Sequence, residues 1–182
     1  MKRFTATLAV VVAALAAHST IAAEPVELKV GDKAPKFALK ASDGKTYKTE
    51  DFLGKRAVVI AWFPKAFTPG CTVECTSFRQ DGDSLRAFDV AYFTASCDTP
   101  EKNADFAKSL KLDYPILSDP EKKVARAFGV VDDKRPVPHR WTFYLGADGK
   151  ILAIDKAVSV KTHALDVAKK LAELKVAKKK EK

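Results

Sequence analysis

The chain has 182 residues, the size of one domain with a full hydrophobic core, and its formal net charge of +9 is concentrated near its ends. Lys2 and Arg3 supply two of those charges, and Lys175–Lys182 supplies four more through five lysines against one glutamate, leaving +3 for the body between. A like-charged tail reads as a solvated, frayed end. With no interleaved aromatic pattern it excludes nucleic acid as a partner, and three cysteines are too few for a disulfide scaffold.

In chain order, MKRFTATLAVVVAALAAHSTIAAE opens with two basic residues, continues through an apolar run from Leu8 to Ala17 and closes on small residues. That order predicts a secretory signal peptide over 1–23, because a bilayer core needs about 20 apolar residues and this run is half as long. Cleavage is expected after Ala22 or Ala23, the latter leaving 159 residues. The alternative is an apolar helix packed on the domain. The expected divisions are therefore a leader over 1–23, a domain over 24–176 and a Lys-rich tail over 177–182. No other stretch is apolar enough for stable membrane insertion. Export points to an oxidising compartment, a periplasm, where paired thiols need an external reductant to stay reduced.

The Ser42–Gly44 turn (SDG) predicts an N-terminal hairpin. Ala57–Phe63 (AVVIAWF) reads as a strand covered on both faces, broken by Pro64, Pro69 and Gly70. From Cys71 the spacing of Val73, Phe78, Leu85 and Phe88 predicts a helix, so Cys71 lies at or near a helix start. Val90–Ser96 is a second buried strand, and Thr99-Pro100-Glu101 caps a helix reaching about Leu110. A short strand over Tyr114–Asp119, a short helix over Glu121–Gly129 and a core strand over Arg140–Leu145 follow. Ile151–Val158 pairs back as a hairpin arm. The segment from Lys161 to about Val176 is an amphipathic helix with Ala164, Val167, Ala168, Leu171 and Leu174 inward. Strands alternating with helices and closing on a hairpin define a mixed α/β sheet.

The chemistry concentrates in Phe63–Cys75, FPKAFTPGCTVEC, which sets a cysteine where a strand, a proline-restricted loop and a helix start meet. The reactive form of a cysteine is the thiolate, and a free thiol near pKa 8.5 supplies only a few per cent of it at pH 7. A helix N-terminus contributes roughly 0.3–2 kcal/mol towards an anion and a charge-assisted hydrogen bond roughly 1.5–3 kcal/mol, so one device alone falls short. This predicts an arginine, distant in sequence, beside Cys71. Arg140, at the entrance to a core strand, is the candidate.

Pro64, Thr68 and Cys71 stand as P-x-x-x-T-x-x-C, which resembles the active-site signature of the peroxiredoxins, and TPGCT is most similar to their bacterioferritin comigratory protein or PrxQ branch. VGDKAPKFAL near Val30, the run from Ser96 to Val130 and RWTFYLGADGKI from Arg140 resemble the same branch in order and spacing, so the likeness spans roughly Val30–Val176. It implies a thioredoxin-like α/β fold: a central mixed β-sheet flanked by helices with an N-terminal β-hairpin extension. It further implies reduction of hydrogen peroxide and organic hydroperoxides without cofactor or metal, in a monomer or dimer. Cys71 would be the peroxidatic cysteine, Thr68 and Arg140 its activators, Pro64 its shield and Glu74 the residue that orients the arginine. A peroxide bond breaks only if charge on the leaving oxygen is stabilised, and the helix-start amides, Thr68 and Arg140 are the available donors. The product is a sulfenic acid that a thiol must reset. The branch, where it has a local resolving cysteine, carries it at the place of Thr76; here the second thiol is Cys75, four residues from Cys71. Cys75, Cys97 or an external thiol therefore completes the cycle, with a thioredoxin-like protein or small thiol as reductant.

The bland alternatives are a buried inert Cys71, a core or strand-edge Cys97, a surface His139 and an exposed or capping His163. Cys71-x-x-x-Cys75 also resembles thioredoxin-like copper chaperones, with His139 as a third ligand. Thr68, Pro69 and Gly70 argue against that class, and the absence of C-x-x-C argues against a thiol–disulfide oxidoreductase.

Overall fold

The computed structural model describes residues 27–179; the expected leader, both cleavage positions and the last three residues lie outside them. The N-terminal hairpin forms as anticipated. β1 (Ala38–Ala41) and β2 (Thr46–Lys48) pair antiparallel with Leu39 opposite Tyr47, and Gly44 takes φ +81° in the turn, a conformation open to glycine at little cost.

β3 (Ala57–Trp62) is buried along its whole length. Alternation sends Val58, Ile60 and Trp62 to one face and Ala57, Val59 and Ala61 to the other, so each face needs its own cover. α1 (Pro69–Gln80) and α2 (Gly82–Arg86) follow, interrupted at Asp81 where one helix was expected. Val73, placed inward by that expectation, is exposed. β4 (Val90–Ser96) leads through the Thr99 cap into α3 (Pro100–Ser109), and the Thr99 side chain accepts from the Lys102 amide. β5 (Ile116–Ser118), α4 (Lys123–Ala127), β6 (Thr142–Leu145), β7 (Ile151–Asp155) and α5 (His163–Glu173) complete the chain.

The seven strands run β2-β1-β5-β4-β3-β6-β7. β3 pairs parallel with β4 and β4 with β5, while β6 lies antiparallel to β3, which makes the sheet mixed. Phe78, Leu85, Ala164, Val167 and Leu171 from α1, α2 and α5 cover the face of Val59. Ala125 and Phe128 of the α4 region, with Phe37 and Leu39, cover the face of Trp62. Phe63, Ala66, Cys71, Cys75, Phe106 and Ile116 form a third, smaller apolar cluster beside α3.

One expectation needs correcting at the C-terminus. Residues Ala177–Lys179, read as the start of a free tail, return along the α2–β4 link. Asp89 N donates to Ala177 O at 2.7 Å and Lys179 N to Ala87 O at 2.9 Å. The side chains of Lys178 and Lys179 remain exposed while the backbone pairs. Among the described residues, no helix is long and apolar enough to cross a membrane.

Candidate active site

Cys71 stands in the first turn of α1, three residues after the N-cap Thr68. The amides of Gly70 and Cys71 precede the first intrahelical bond, Thr72 N to Thr68 O at 2.9 Å, and so remain available to an anion.

The loop 63–68 that delivers this turn is tied at three points. Ala66 N donates to Asp98 Oδ2 at 2.8 Å, and Thr68 Oγ1 donates to Lys65 O at 3.0 Å. The Phe67 ring lies 4.9 Å from that of Phe106. Those ties hold Phe67 at φ +65°, a left-handed conformation costly for a bulky residue. Pro64 is half-buried just past the end of β3. Asp98 is fixed in turn by Lys102 Nζ and by Ser96 Oγ, the latter at 3.1 Å. Asp98→Ala strips the buried Ala66 amide and Lys102 of their acceptor. The expected cost is about 1–3 kcal/mol of stability, read as a lowered urea midpoint.

Arg140 reaches this turn because of sheet register. Ala61 of β3 faces Thr142 of β6, and Trp62 N donates to Trp141 O at 2.9 Å, so Arg140 falls beside the point where β3 gives way to the loop. Its Nη2 lies 3.4 Å from Cys71 Sγ. Its Nη1 is ion-paired with Glu74 Oε2. Glu74 follows Cys71 by three positions on α1, which puts both on one helix face, and its side chain is wholly buried.

The other Glu74 oxygen was not anticipated to have a partner. Oε1 lies 2.9 Å from Nδ1 of His163, whose Nε2 lies 2.8 Å from Thr142 Oγ1. His163, expected to be exposed or capping, is buried at the start of α5 against α1 and β6, with its ring edge-on to Phe78. A sequence signal for this existed. His163, Val167 and Leu171 recur every four residues, so the apolar stripe that turns Val167 and Leu171 inward carries His163 with it.

Burial, reinforced by the Arg140 charge, pushes the His163 imidazole down to about 3. The ring is therefore neutral at ordinary pH, and its contact with Glu74 is a hydrogen bond rather than an ion pair. Because the unfolded chain takes up a proton near pH 6.5 and the folded one does not, this group's contribution to stability is full above pH 6.5 and is lost as pH falls towards 3. His163→Asn is expected to flatten that acid limb, measured as urea midpoints at pH 7 and pH 4.

All three cysteines are free thiols. Cys75 lies one turn beyond Cys71 and is wholly buried; burial pushes its thiol up to about 12, against the opposing effect of the Tyr114 and Thr94 hydroxyls. Tyr114 Oη also donates to Cys75 O at 3.0 Å, pinning this turn of α1. Cys97, just past β4, is half-buried against the cluster around Trp62, and burial takes its thiol to about 12 as well. The copper arrangement is not supported. His139 stacks on Trp141, 4.9 Å between rings, and Trp141 packs against the cluster around Trp62, whereas Cys71 and Cys75 belong to the one beside α3. Among the described residues no three His, Cys, Asp or Glu side chains converge as a metal site.

Residues 30–154 match the AhpC/TSA family. The chain is 41% identical over 130 residues to Peroxiredoxin Bcp of Escherichia coli, covering 68% of this chain and 83% of that protein. The crystal structure of Peroxidoxin BcpB from Mycobacterium tuberculosis superposes with a TM-score of 0.71 at 33% identity, covering 82% of this chain and 97% of that one. The bacterioferritin comigratory protein of Xanthomonas campestris, described for its alkyl peroxide reduction, superposes with a TM-score of 0.68 at 26% identity over 76% of this chain and 90% of that one. A thioredoxin-like sheet with a cysteine at the start of α1, matched across its length to these relatives, places the chain in the AhpC/TSA family as a peroxiredoxin of the Bcp/PrxQ group, a thiol-dependent peroxidase.

Proposed function

We propose that Cys71 is the peroxidatic nucleophile and Arg140 the group that stabilises both its thiolate and the transition state. The observation that carries this is the contact of Arg140 Nη2 with Cys71 Sγ at 3.4 Å, made by a guanidinium whose other nitrogen is anchored to buried Glu74. The thiolate attacks one oxygen of the hydroperoxide, forming the S–O bond as the O–O bond breaks. The leaving oxygen departs as alkoxide or hydroxide and takes up a proton to become alcohol or water, leaving Cys71 as sulfenic acid. Arg140 and the free first-turn amides lie where charge develops on the oxygens. Thr68, expected as a donor to the leaving oxygen, instead commits its proton to Lys65 O, so its oxygen keeps lone pairs to accept the peroxide's O–H. Pro64 shields the thiolate from bulk water.

Cys75 is the proposed resolving thiol. Side chains four apart on an intact helix have Cβ atoms about 5–6 Å apart, whereas a disulfide needs about 3.5–4.5 Å. α1 must therefore open around Cys75 before the bridge closes, and opening also exposes a thiol that burial otherwise keeps protonated. Attack on the sulfenic acid releases water and forms the Cys71–Cys75 disulfide, which a thioredoxin-like dithiol or two small thiols return to the reduced pair. Hydrogen peroxide and alkyl hydroperoxides are the proposed substrates, supported by the alkyl peroxide activity named for the Xanthomonas campestris relative. The order of charge, apolar run and small residues over Met1–Ala23 supports an exported, periplasmic protein, tested by fractionating cells and sequencing the N-terminus of the recovered protein. The catalytic proposal is tested by following peroxide consumption with a dithiol reductant: Cys71→Ser is expected to abolish turnover, and turnover that survives it refutes the assignment.

A further inference from the structure

We propose that His163 is a positioning residue for Arg140, holding the Glu74 carboxylate in the orientation that aims the guanidinium at Cys71. Three elements meet at this ring: Glu74 on α1, Thr142 at the start of β6 two residues after Arg140, and His163 itself at the start of α5. An ionised carboxylate only accepts, so His163 Nδ1 carries the proton and donates to Glu74 Oε1, and bare Nε2 accepts from Thr142 Oγ1. The result is one directed chain, with Thr142 donating to His163, His163 to one Glu74 oxygen, Arg140 to the other, and Arg140 to the Cys71 sulfur.

The choice of a neutral donor has a physical reason. Glu74 is wholly buried, so no solvent reaches Oε1, and without a partner that oxygen would carry the penalty of an unmet acceptor. A second cation there would compete with Arg140 for the carboxylate and weaken the pairing that orients it. The imidazole satisfies Oε1 without adding charge, and its depressed basicity keeps it so. With both oxygens fixed, the carboxylate plane is fixed, and the guanidinium paired to it cannot swing away from the sulfur.

This inference rests on Cys71 and Arg140 being the reacting thiol and its activator, and the test separates the two claims. Purified, reduced His163→Leu, His163→Asn, His163→Gln, Glu74→Gln, Arg140→Gln and the double variant Glu74→Gln/His163→Leu are compared in two single-turnover reactions of Cys71. One is oxidation by hydrogen peroxide, which needs an aimed Arg140; the other is alkylation by iodoacetamide, which needs only a reachable thiolate. Folding is checked by urea denaturation. His163→Leu is expected to slow the peroxide reaction about 10–100-fold, the usual effect of losing an orienting partner, with a smaller change in alkylation. His163→Asn, whose amide donates from near the Nδ1 position, restores most of the loss, and His163→Gln does not. In the Glu74→Gln background His163→Leu adds little, because the chain is already broken.

A folded His163→Leu protein that matches wild type with peroxide overturns the inference, as do equal losses in both reactions. Should the Leu variant fail to fold, the Asn and Gln variants decide, and equal peroxide rates for the two overturn it. If Arg140→Gln itself reacts with peroxide at the wild-type rate, the assignment of Arg140 as the activator of Cys71 falls as well.

Discussion

Arg140→Gln is expected to slow oxidation of Cys71 by hydrogen peroxide roughly 10²–10³-fold, about 2.7–4 kcal/mol of transition-state stabilisation. The size follows from what the side chain touches. Nη2 is 3.4 Å from the sulfur, Nη1 is paired with Glu74, and the guanidinium stands over the first turn of α1, where a Cβ on Gly70 would come within 3.4 Å of Nη2. Gln removes the charge and the fork together. Arg140→Lys keeps the charge, but a single ammonium cannot bond Glu74 and the sulfur in the same fixed geometry, so it is expected to recover only part of the rate. Stopped-flow mixing of reduced protein with peroxide under pseudo-first-order conditions measures both variants. A wild-type rate for Arg140→Gln would leave the helix N-terminus as the activating device on its own.

The second large effect is expected at Cys75. Stoichiometric peroxide should lower the helical circular dichroism of the wild-type protein, because the Cys71–Cys75 bridge cannot form while that turn of α1 is intact. Opening it breaks backbone hydrogen bonds worth about 1 kcal/mol each, frees Tyr114 from Cys75 O and draws Cys75 out of an apolar cluster. Cys75→Ser is expected to keep its helical signal, to accumulate sulfenic acid on Cys71 and, with excess peroxide, to advance to the sulfinic acid. Oxidised wild type with unchanged helicity and a sulfenic acid that persists until an external thiol arrives would instead mark a one-cysteine cycle.

Most of the sheet was legible because its strands are short apolar runs bounded by Pro, Gly and Asp. Val90–Ser96 was read at its observed limits, and Ala57–Phe63 exceeded β3 by one residue. The break at Asp81 was not legible, since the apolar spacing of Phe78, Leu85 and Phe88 continues across it and only the backbone departs from the helix. At the candidate site, Cys71, Thr68 and Pro64 were singled out by one contiguous loop of sequence. Arg140 was reached by the need for a cation and by the family likeness, and sheet register now accounts for its place. The apolar stripe of α5 carried a signal for the burial of His163, but its pairing with Glu74 and Thr142 depends on how α5 docks against α1 and β6, which no local pattern records. Asp98 was missed for the same reason: its contact with Ala66 joins residues 32 positions apart. The Ala177–Lys179 pairing shows the converse, a segment read from its charge alone whose backbone has its own partners.

The most direct measurement is to treat the reduced protein with one equivalent of hydrogen peroxide and identify the products by intact and peptide mass spectrometry, alongside Cys71→Ser and Cys75→Ser. The expected result is rapid loss of two hydrogens with a Cys71–Cys75 link in the wild type, a sulfenic acid on Cys71 in Cys75→Ser, and no reaction in Cys71→Ser. Rapid peroxide reduction by Cys71→Ser, or a Cys71 that stays reduced while another residue is oxidised, would contradict the assignment of Cys71 as the reacting thiol.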